Sequence, residues 1–249
     1  MSLLANEIKR SRIEDWIYNN LCSSAYDKLT AKDICINDDL TIDICGKVGK
    51  RINYCFSIAD GHGLGLNENF ELPEYIKFNI FKNVDIIGKY TELSSFRGFP
   101  KRMENGSIEL FSDRCCRGGL RDIENLPDYI KGERITIDGA DFPTFDKCGK
   151  KIFDCRKISF TNCHIINLKG LENIEFTTNI EEIDFSYNNI IDWKPLFDKL
   201  NEEFLIEVEA KGKSPFDNRL TLNIHENKSL SDETWNFIEK NREHLYVMI

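Results

Sequence analysis

The sequence predicts an α/β repeat fold, a solenoid of short parallel strands closed by a helical amino-terminal cap and a mixed α/β carboxy-terminal cap. Three observations predict it. Between Cys155 and Leu196 one apolar pattern occurs twice, as Cys155, Ile158, Phe160, Cys163, Ile165, Leu168 and then Ile180, Ile183, Phe185, Asn188, Ile190, Trp193, with corresponding positions at one constant interval, as from Phe160 to Phe185 and from Leu168 to Trp193. Apolar pairs at Val84/Ile86, Ile108/Leu110, Ile135/Ile137, Ile158/Phe160 and Ile183/Phe185 extend the register at closely similar intervals. Three X-Pro corners, Leu72-Pro73, Phe99-Pro100 and Leu126-Pro127, are equally spaced. Proline sets the backbone where no ladder hydrogen bond is needed.

The pattern has the form L-x-x-L-x-L-x-x-N/C-x-L, the leucine-rich-repeat signature. The I-x-F pair is a short strand with alternate residues in the core, the Asn or Cys turns the chain, and the next L-x-x-L re-enters the core. One such unit cannot bury its apolar side alone, so neighbours must stack.

Taken in order, residues 2–21 carry Leu4, Ile8, Ile13, Trp16, Ile17 and Leu21 at helical spacing, so residues 1–30 read as a cap over the first end of the stack. Short alternating strands follow at Ile34–Ile36, Leu40–Ile44 and Ile52–Phe56, with Asn37-Asp38-Asp39 as a turn. Residues 59–71, ADGHGLGLNENFE, form a glycine-rich loop. The return segments are Leu93/Phe96, Leu120/Ile123, Phe142/Phe145, Leu168 and Trp193, and Cys115–Gly119 is an insertion in one of them. The solenoid spans 31–200. In the remaining cap, 201–249, Leu205–Val208 and Leu220–Ile224 are expected as strands, a helix starts at Ser231, whose hydroxyl can cap it, and Tyr246–Ile249 closes the chain as a strand.

Composition bounds the function. The 249 residues carry a net charge of −9, which excludes a general nucleic-acid binder dependent on clustered Lys and Arg. No apolar run reaches the ~20 residues needed to span a bilayer, and the charged start MSLLANEIKRSRIEDW is not a secretory leader, so a cytoplasmic location is expected. The nine cysteines are odd in number and include no C-x-x-C; several, such as Cys155 and Cys163, occupy core positions, and the set reads as reduced and structural rather than a metal site or disulfide framework. No cofactor is expected.

Several segments together resemble the leucine-rich-repeat-like proteins encoded by tailed bacteriophages: INDDLTIDI (36–44), LSSFRGFP (93–100), INLKGLENI (166–174) and IDFSYNNI (183–190). The resemblance covers residues 34–196, with the turn slot reading Lys89, Asp113, Ala140, Cys163 and Asn188. It implies a horseshoe or flattened solenoid in an infected bacterial cytoplasm, and a role in binding a host or defence protein.

In a strand x-I-x-I-x the x positions face outward. They are Asn83, Asp85, Ile87; Ser107, Glu109, Phe111; Arg134, Thr136, Asp138; Lys157, Ser159, Thr161; Glu182, Asp184, Ser186; and Leu205, Glu207, Glu209. Seven are acidic and two basic, so like charges are expected to stack on adjacent strands, a docking surface for a basic protein. The partner-binding candidates are Asp85, Ile87, Glu109, Phe111, Asp138, Glu182, Asp184, Glu207 and Glu209, with Ile87 and Phe111 as apolar anchors.

Two other readings compete. An acidic face can mimic nucleic acid and block a DNA- or RNA-binding protein. Separately, YCFSIADGHGLG (54–65) resembles the metal-binding Asp-Gly motif of metal-dependent serine/threonine phosphatases, and PFDNRLTLNI (215–224) resembles that family's terminal acidic strand with one residue too many. The remaining acidic motifs are missing or out of order, since SDETW (231–235) follows the second segment instead of preceding it. His62, His164, His225 and His244 are scattered, and Lys211-Gly-Lys-Ser lacks the upstream glycine of a phosphate loop. The expectation is therefore a protein-binding protein without enzymatic activity.

Overall fold

A computed structural model describes residues 3–19, 32–46, 51–53, 73–89, 95–111, 120–211, 218–228 and 230–249. Outside these residues lie the loop 59–71, the Cys115–Gly119 segment, Leu21, Leu72, Leu93 and Asp113. The fold is α/β, with a mostly parallel sheet and few helices. Helix α1 (Leu3–Ile17) precedes the antiparallel hairpin β1 (Ile34–Ile36) and β2 (Ile42–Cys45); every other pairing among the described strands is parallel. The strands continue as β3 (Arg51–Asn53), β4 (Phe78–Lys82), β5 (Asp85–Lys89), β6 (Arg102–Glu104), β7 (Ile108–Phe111), β8 (Tyr129–Asp138), β9 (Lys151–Thr161), β10 (Ile174–Phe176) and β11 (Glu182–Asp184). Helices α2 (Lys194–Phe197) and α3 (Glu202–Ala210), strand β12 (Leu220–Asn223), helix α4 (Asp232–Lys240) and strand β13 (Leu245–Met248) complete the chain.

The strands form two parallel ladders. The expected one joins β3, β5, β7, the second half of β8, the second half of β9, β11, β12 and β13. A second ladder, not expected from the sequence, joins β2, β4, β6, the first halves of β8 and β9, and β10. Its core row, Ile44, Phe81, Met103, Ile130, Phe153 and Phe176, is buried throughout. The expected ladder buries Ile86, Ile108, Ile135, Ile158, Ile183 and Leu222 in the same way. One alignment differs from expectation: Ile86, not Val84, is the partner of Ile108, so the first step of the ladder starts later in the chain.

The bend between the ladders explains two glycines. A Cβ on Gly106 would stand 2.0 Å from the Val84 carbonyl oxygen, and one on Gly132 1.7 Å from the Gly106 carbonyl oxygen. Successive backbones pass too closely there for any side chain. At the far end of the second half of each strand, Gly139, Asn162, Tyr187 and Glu226 all hold positive φ. The first three carry their N–H into the ladder, Gly139 to Thr161 O, Asn162 to Ser186 O and Tyr187 to His225 O.

One turn later, Asn188 closes the loop expected of it. Its Oδ1 accepts from the N–H groups of Cys163 (3.0 Å) and Ile165 (3.1 Å), while its Nδ2 donates to Phe160 O (2.7 Å), Phe185 O (2.9 Å) and Ser186 O (3.2 Å). Asn227 repeats this arrangement, accepting from Ile190 N–H and donating to the carbonyls of Phe185, Ile224 and His225. Cys163 fills the equivalent place with a thiol directed at Ile137 O and Thr161 O. Behind these turns, Phe142, Phe145, Phe160, Phe185 and Trp193 form a chain of ring contacts with centroids 5.4 to 6.3 Å apart.

Helix α1 packs beside the hairpin: the Trp16 and Phe78 rings are 6.3 Å apart and Arg10 donates to the carbonyls of Ile36 and Asn37. Ile13 and Ile17 are buried, whereas Ile8, expected on the same face, is exposed. At the other end the expected strand at Leu205–Val208 is helix α3. Asn201 caps it by accepting from Phe204 N–H, Glu202 and Glu203 sit at its positive end, and Leu205 and Val208, three apart, are the residues it buries. A strand would have put Leu205 and Val208 on opposite faces. The expected helix after Ser231 is α4, with the Ser231 hydroxyl accepting from Thr234 N–H.

Candidate functional site

Three outward rows run across the expected ladder. The first is Asp85, Ser107, Arg134, Lys157, Glu182, Thr221 and Tyr246, and the second is Ile87, Glu109, Thr136, Ser159, Asp184, Asn223 and Met248. The third is Phe111, Asp138 and Thr161. The ladder therefore brings Asp85, Glu109, Phe111, Asp138, Glu182 and Asp184 onto one face. Ile87 is on the same row by backbone register, and its side chain lies outside the described residues. Leu205, Glu207 and Glu209 do not belong to this face; they are on α3, where Glu207 is exposed and Glu209 meets His244 Nδ1 at 2.5 Å.

The face is not a stack of like charges. In the register Glu109 lies opposite Thr136, Asp138 opposite Thr161, and Glu182 opposite Lys157, so no two of these carboxylates face one another. Each also has a partner. Lys157 reaches Glu182 at 2.6 Å, Arg134 lies 3.8 Å from Glu109, and Thr161 Oγ1 donates to Asp138 at 2.8 Å. The Ser107 N–H donates to Asp85 at 2.8 Å. Five of the seven expected carboxylates lie on this face, Asp85, Glu109, Asp138, Glu182 and Asp184, while Glu207 and Glu209 are on α3, and the step from one strand to the next interleaves the five with cations and hydroxyls.

Side-chain length gives the face its relief. The middle row carries Thr136, Ser159 and Asp184, and Ser159 and Asp184 are only 3% and 9% exposed although both point away from the core. Asp184 stands between the fully buried Ile183 and Phe185, so its carboxylate is on the opposite side of the strand. Longer side chains, Arg134, Lys157 and Glu182 on one flank and Phe111 and Asp138 on the other, wall this row. Asp184 Oδ1 accepts from Ser186 N–H (2.9 Å) and Ser186 Oγ (2.7 Å); Oδ2 has no donor among the described residues. Beyond Ser186, the half-exposed Tyr187 ring meets His225 edge-on at 5.6 Å.

A second polar crease lies where the ladders bend. It encloses about 430 Å³ over the Gly106 and Gly132 backbones, between Asp85, Lys131, Glu133, Asp154, Arg156 and Asn179. Its arginine and the Asp154 carboxylate already have partners. Arg156 holds both oxygens of Glu181 and reaches Glu133 at 3.3 Å. Burial pushes the Asp154 carboxyl up, but donation by Asn179 and Thr177 outweighs it and leaves the group below its ordinary value.

Among the described residues no three His, Cys, Asp or Glu side chains come together as metal ligands, and no helix is long and apolar enough to cross a membrane. Asp60 and Asp217, the carboxylates of the phosphatase-like segments, lie outside the described residues. His164 is a surface residue beside Asp141 at 3.3 Å. Cys148, Cys155 and Cys163 are buried and unpaired, and burial pushes the thiols of Cys148 and Cys155 up to about 12. Comparison with protein-family models, curated proteins and solved structures finds no match to this chain.

Proposed function

We propose that the protein is a leucine-rich-repeat-like solenoid that binds another protein through the outward rows of its strand face. The observation carrying this reading is the face itself. It is a parallel ladder whose outward positions run from Glu109 through the hydroxyls of Thr136 and Ser159 to Asp184 and Asn223, while the core positions beneath stay apolar. Varied outward side chains over a constant apolar frame suit recognition, which repeat scaffolds carry out through such extended faces. The solenoid reading is supported by Asn188 and Asn227, which satisfy the turns of neighbouring units with the same hydrogen bonds. A bacterial protein as the partner rests on the resemblance of residues 34–196 to phage-encoded proteins.

The test is capture from bacterial lysate with immobilised full-length chain. The double variant Phe111→Asp, Asp138→Lys on the strand face is expected to lose the captured protein. A control, Ile191→Asp, changes an exposed residue off that face and is expected to retain it. Retention by the strand-face variant would overturn the reading.

A further inference from the structure

We infer that the open edge of β13 pairs with a second copy of the chain, joining two ladders into one sheet about a two-fold axis at Val247. β13 ends the expected ladder, and no described strand takes its free side. Leu220 N–H donates to His244 O and Ile224 N–H to Met248 O, so the backbones of His244, Tyr246 and Met248 face β12. Those of Leu245, Val247 and Ile249 therefore face away. Leu245 N–H turns back to Asn241 O at 2.9 Å, which leaves Leu245 O, Val247 N–H, Val247 O and Ile249 N–H without a hydrogen bond among the described residues.

That set is complementary to itself. Antiparallel pairing about Val247 joins Val247 N–H to Val247 O of the second copy, and Ile249 N–H to its Leu245 O, each twice by symmetry. The one donor such a ladder would leave over, Leu245 N–H, is the one already held by Asn241. The side chains favour the same occupant. Val247 follows Ile183 and Leu222 in the core row but is only half-buried, and Tyr246 and Ile249 are 46% and 53% exposed. Edges that stay single are blunted by Lys, Pro or a bulge, and a repeat stack that ends in water carries a polar outer face. Leu245–Ile249, LYVMI, has none of these. Two copies of a chain of net charge −9 repel wherever acidic surfaces meet, whereas this uncharged run can face itself. An axis perpendicular to the sheet sets both strand faces on one side, with Tyr246 beside Met248 of the second copy. The pairing stands without the strand-face reading.

Sedimentation velocity of the full chain over a concentration series is expected to show a monomer–dimer equilibrium. Val247→Pro removes the two central donors and leaves the bonds to β12 in place, because that N–H faces away from β12. It should weaken the dimer by about thirtyfold, the scale of two backbone hydrogen bonds. Ile249→Lys sets a charge beside Leu245 of the second copy and should weaken it by about tenfold. This exposed position decides the matter if the proline variant fails to unfold like the wild type in urea. Val247→Cys should form a disulfide-linked dimer under diamide, since a residue on the axis meets its own copy at about 5.5 Å between Cα atoms. Tyr246→Cys, about 7–8 Å from its copy on the diagonal, should give no more than the wild type with its exposed Cys35 and Cys45. A chain monomeric at every concentration, a dimer as tight in Ile249→Lys as in the wild type, or equal cross-linking at both positions would each overturn the inference.

Discussion

Asn188→Ala probes how much one side chain contributes to the stacking of two turns. The wild-type side chain is buried and makes five hydrogen bonds, two accepted from Cys163 and Ile165 N–H and three donated to the carbonyls of Phe160, Phe185 and Ser186. Alanine leaves both amides without that acceptor in a site closed by Phe160 and Phe185. At roughly 1–3 kcal/mol for each buried group left unpaired, the two amides alone predict a loss of about 2–6 kcal/mol. That is a large share of the ~5–15 kcal/mol by which domains are stable. Asn189→Ala next door, at an exposed position, should cost less than about 0.5 kcal/mol. Asn188→Cys should fall between, because the thiol of Cys163 fills the equivalent place in the preceding turn and reaches the carbonyls of Ile137 and Thr161 there. Urea unfolding measures the differences, and hydrogen exchange at Cys163 and Ile165 locates them. A cost for Asn188→Ala equal to that of Asn189→Ala would refute the reasoning.

Gly132→Ala and Gly149→Ala separate close approach from backbone conformation. The first would force a Cβ to 1.7 Å from Gly106 O and should cost well over about 2 kcal/mol, while the second, at φ 66 with nothing within 4 Å, should cost about 1–2 kcal/mol. Equal costs in chemical denaturation would contradict the packing at the bend. For the cysteines, iodoacetamide at pH 8 should modify Cys35 and Cys45 in the folded chain but reach Cys148, Cys155 and Cys163 only in urea, read site by site by mass spectrometry. Because burial holds Cys148 and Cys155 at about 12 against an ordinary 9.0, the stability of their neutral thiols is fully present below pH 9 and declines as pH rises toward 12. Cys155→Val should reduce that decline; alkylation of Cys155 at the rate of Cys35 would sink the argument.

The second ladder shares the spacing of the first, although no strand pattern in the sequence announces it. Phe81, Met103, Ile130 and Phe153 follow one another by the same steps that separate Ile86, Ile108, Ile135 and Ile158. The leucine-rich-repeat pattern accounts for one strand per unit, and β6 and β10, three residues long, carry too little alternation to announce a second. Similarly, Leu222, Ile224 and Asn227 follow Ile183, Phe185 and Asn188 at one constant interval, so the unit beyond Leu196 keeps its register. Helices α2 and α3 occupy the longer return. The apolar Ile206 beside Leu205 masks the helical face of α3 in the sequence, and the signal that betrays the helix is the cap at Asn201.

The candidate site divides in the same way. Which residues point outward from β5 to β11 followed from the two-residue period of a strand. Their exposure and pairing did not. The interleaving of Glu109, Arg134, Asp138, Lys157 and Glu182 depends on the register between paired strands distant in the chain, and the burial of Asp184 depends on the height of side chains from neighbouring strands.

By itself the sequence determined the apolar spacing, the turn at Asn188, the capped helix after Ser231 and the outward positions of the strand face, because each is a relation between residues close in the chain. Only the tertiary structure decided that there are two ladders, that Gly106 and Gly132 carry the bend between them, and that Asp184 sits in a walled row with one oxygen lacking a donor among the described residues. Those facts arise where backbones and side chains from different strands meet, and the distance between them is set by packing rather than by any local preference.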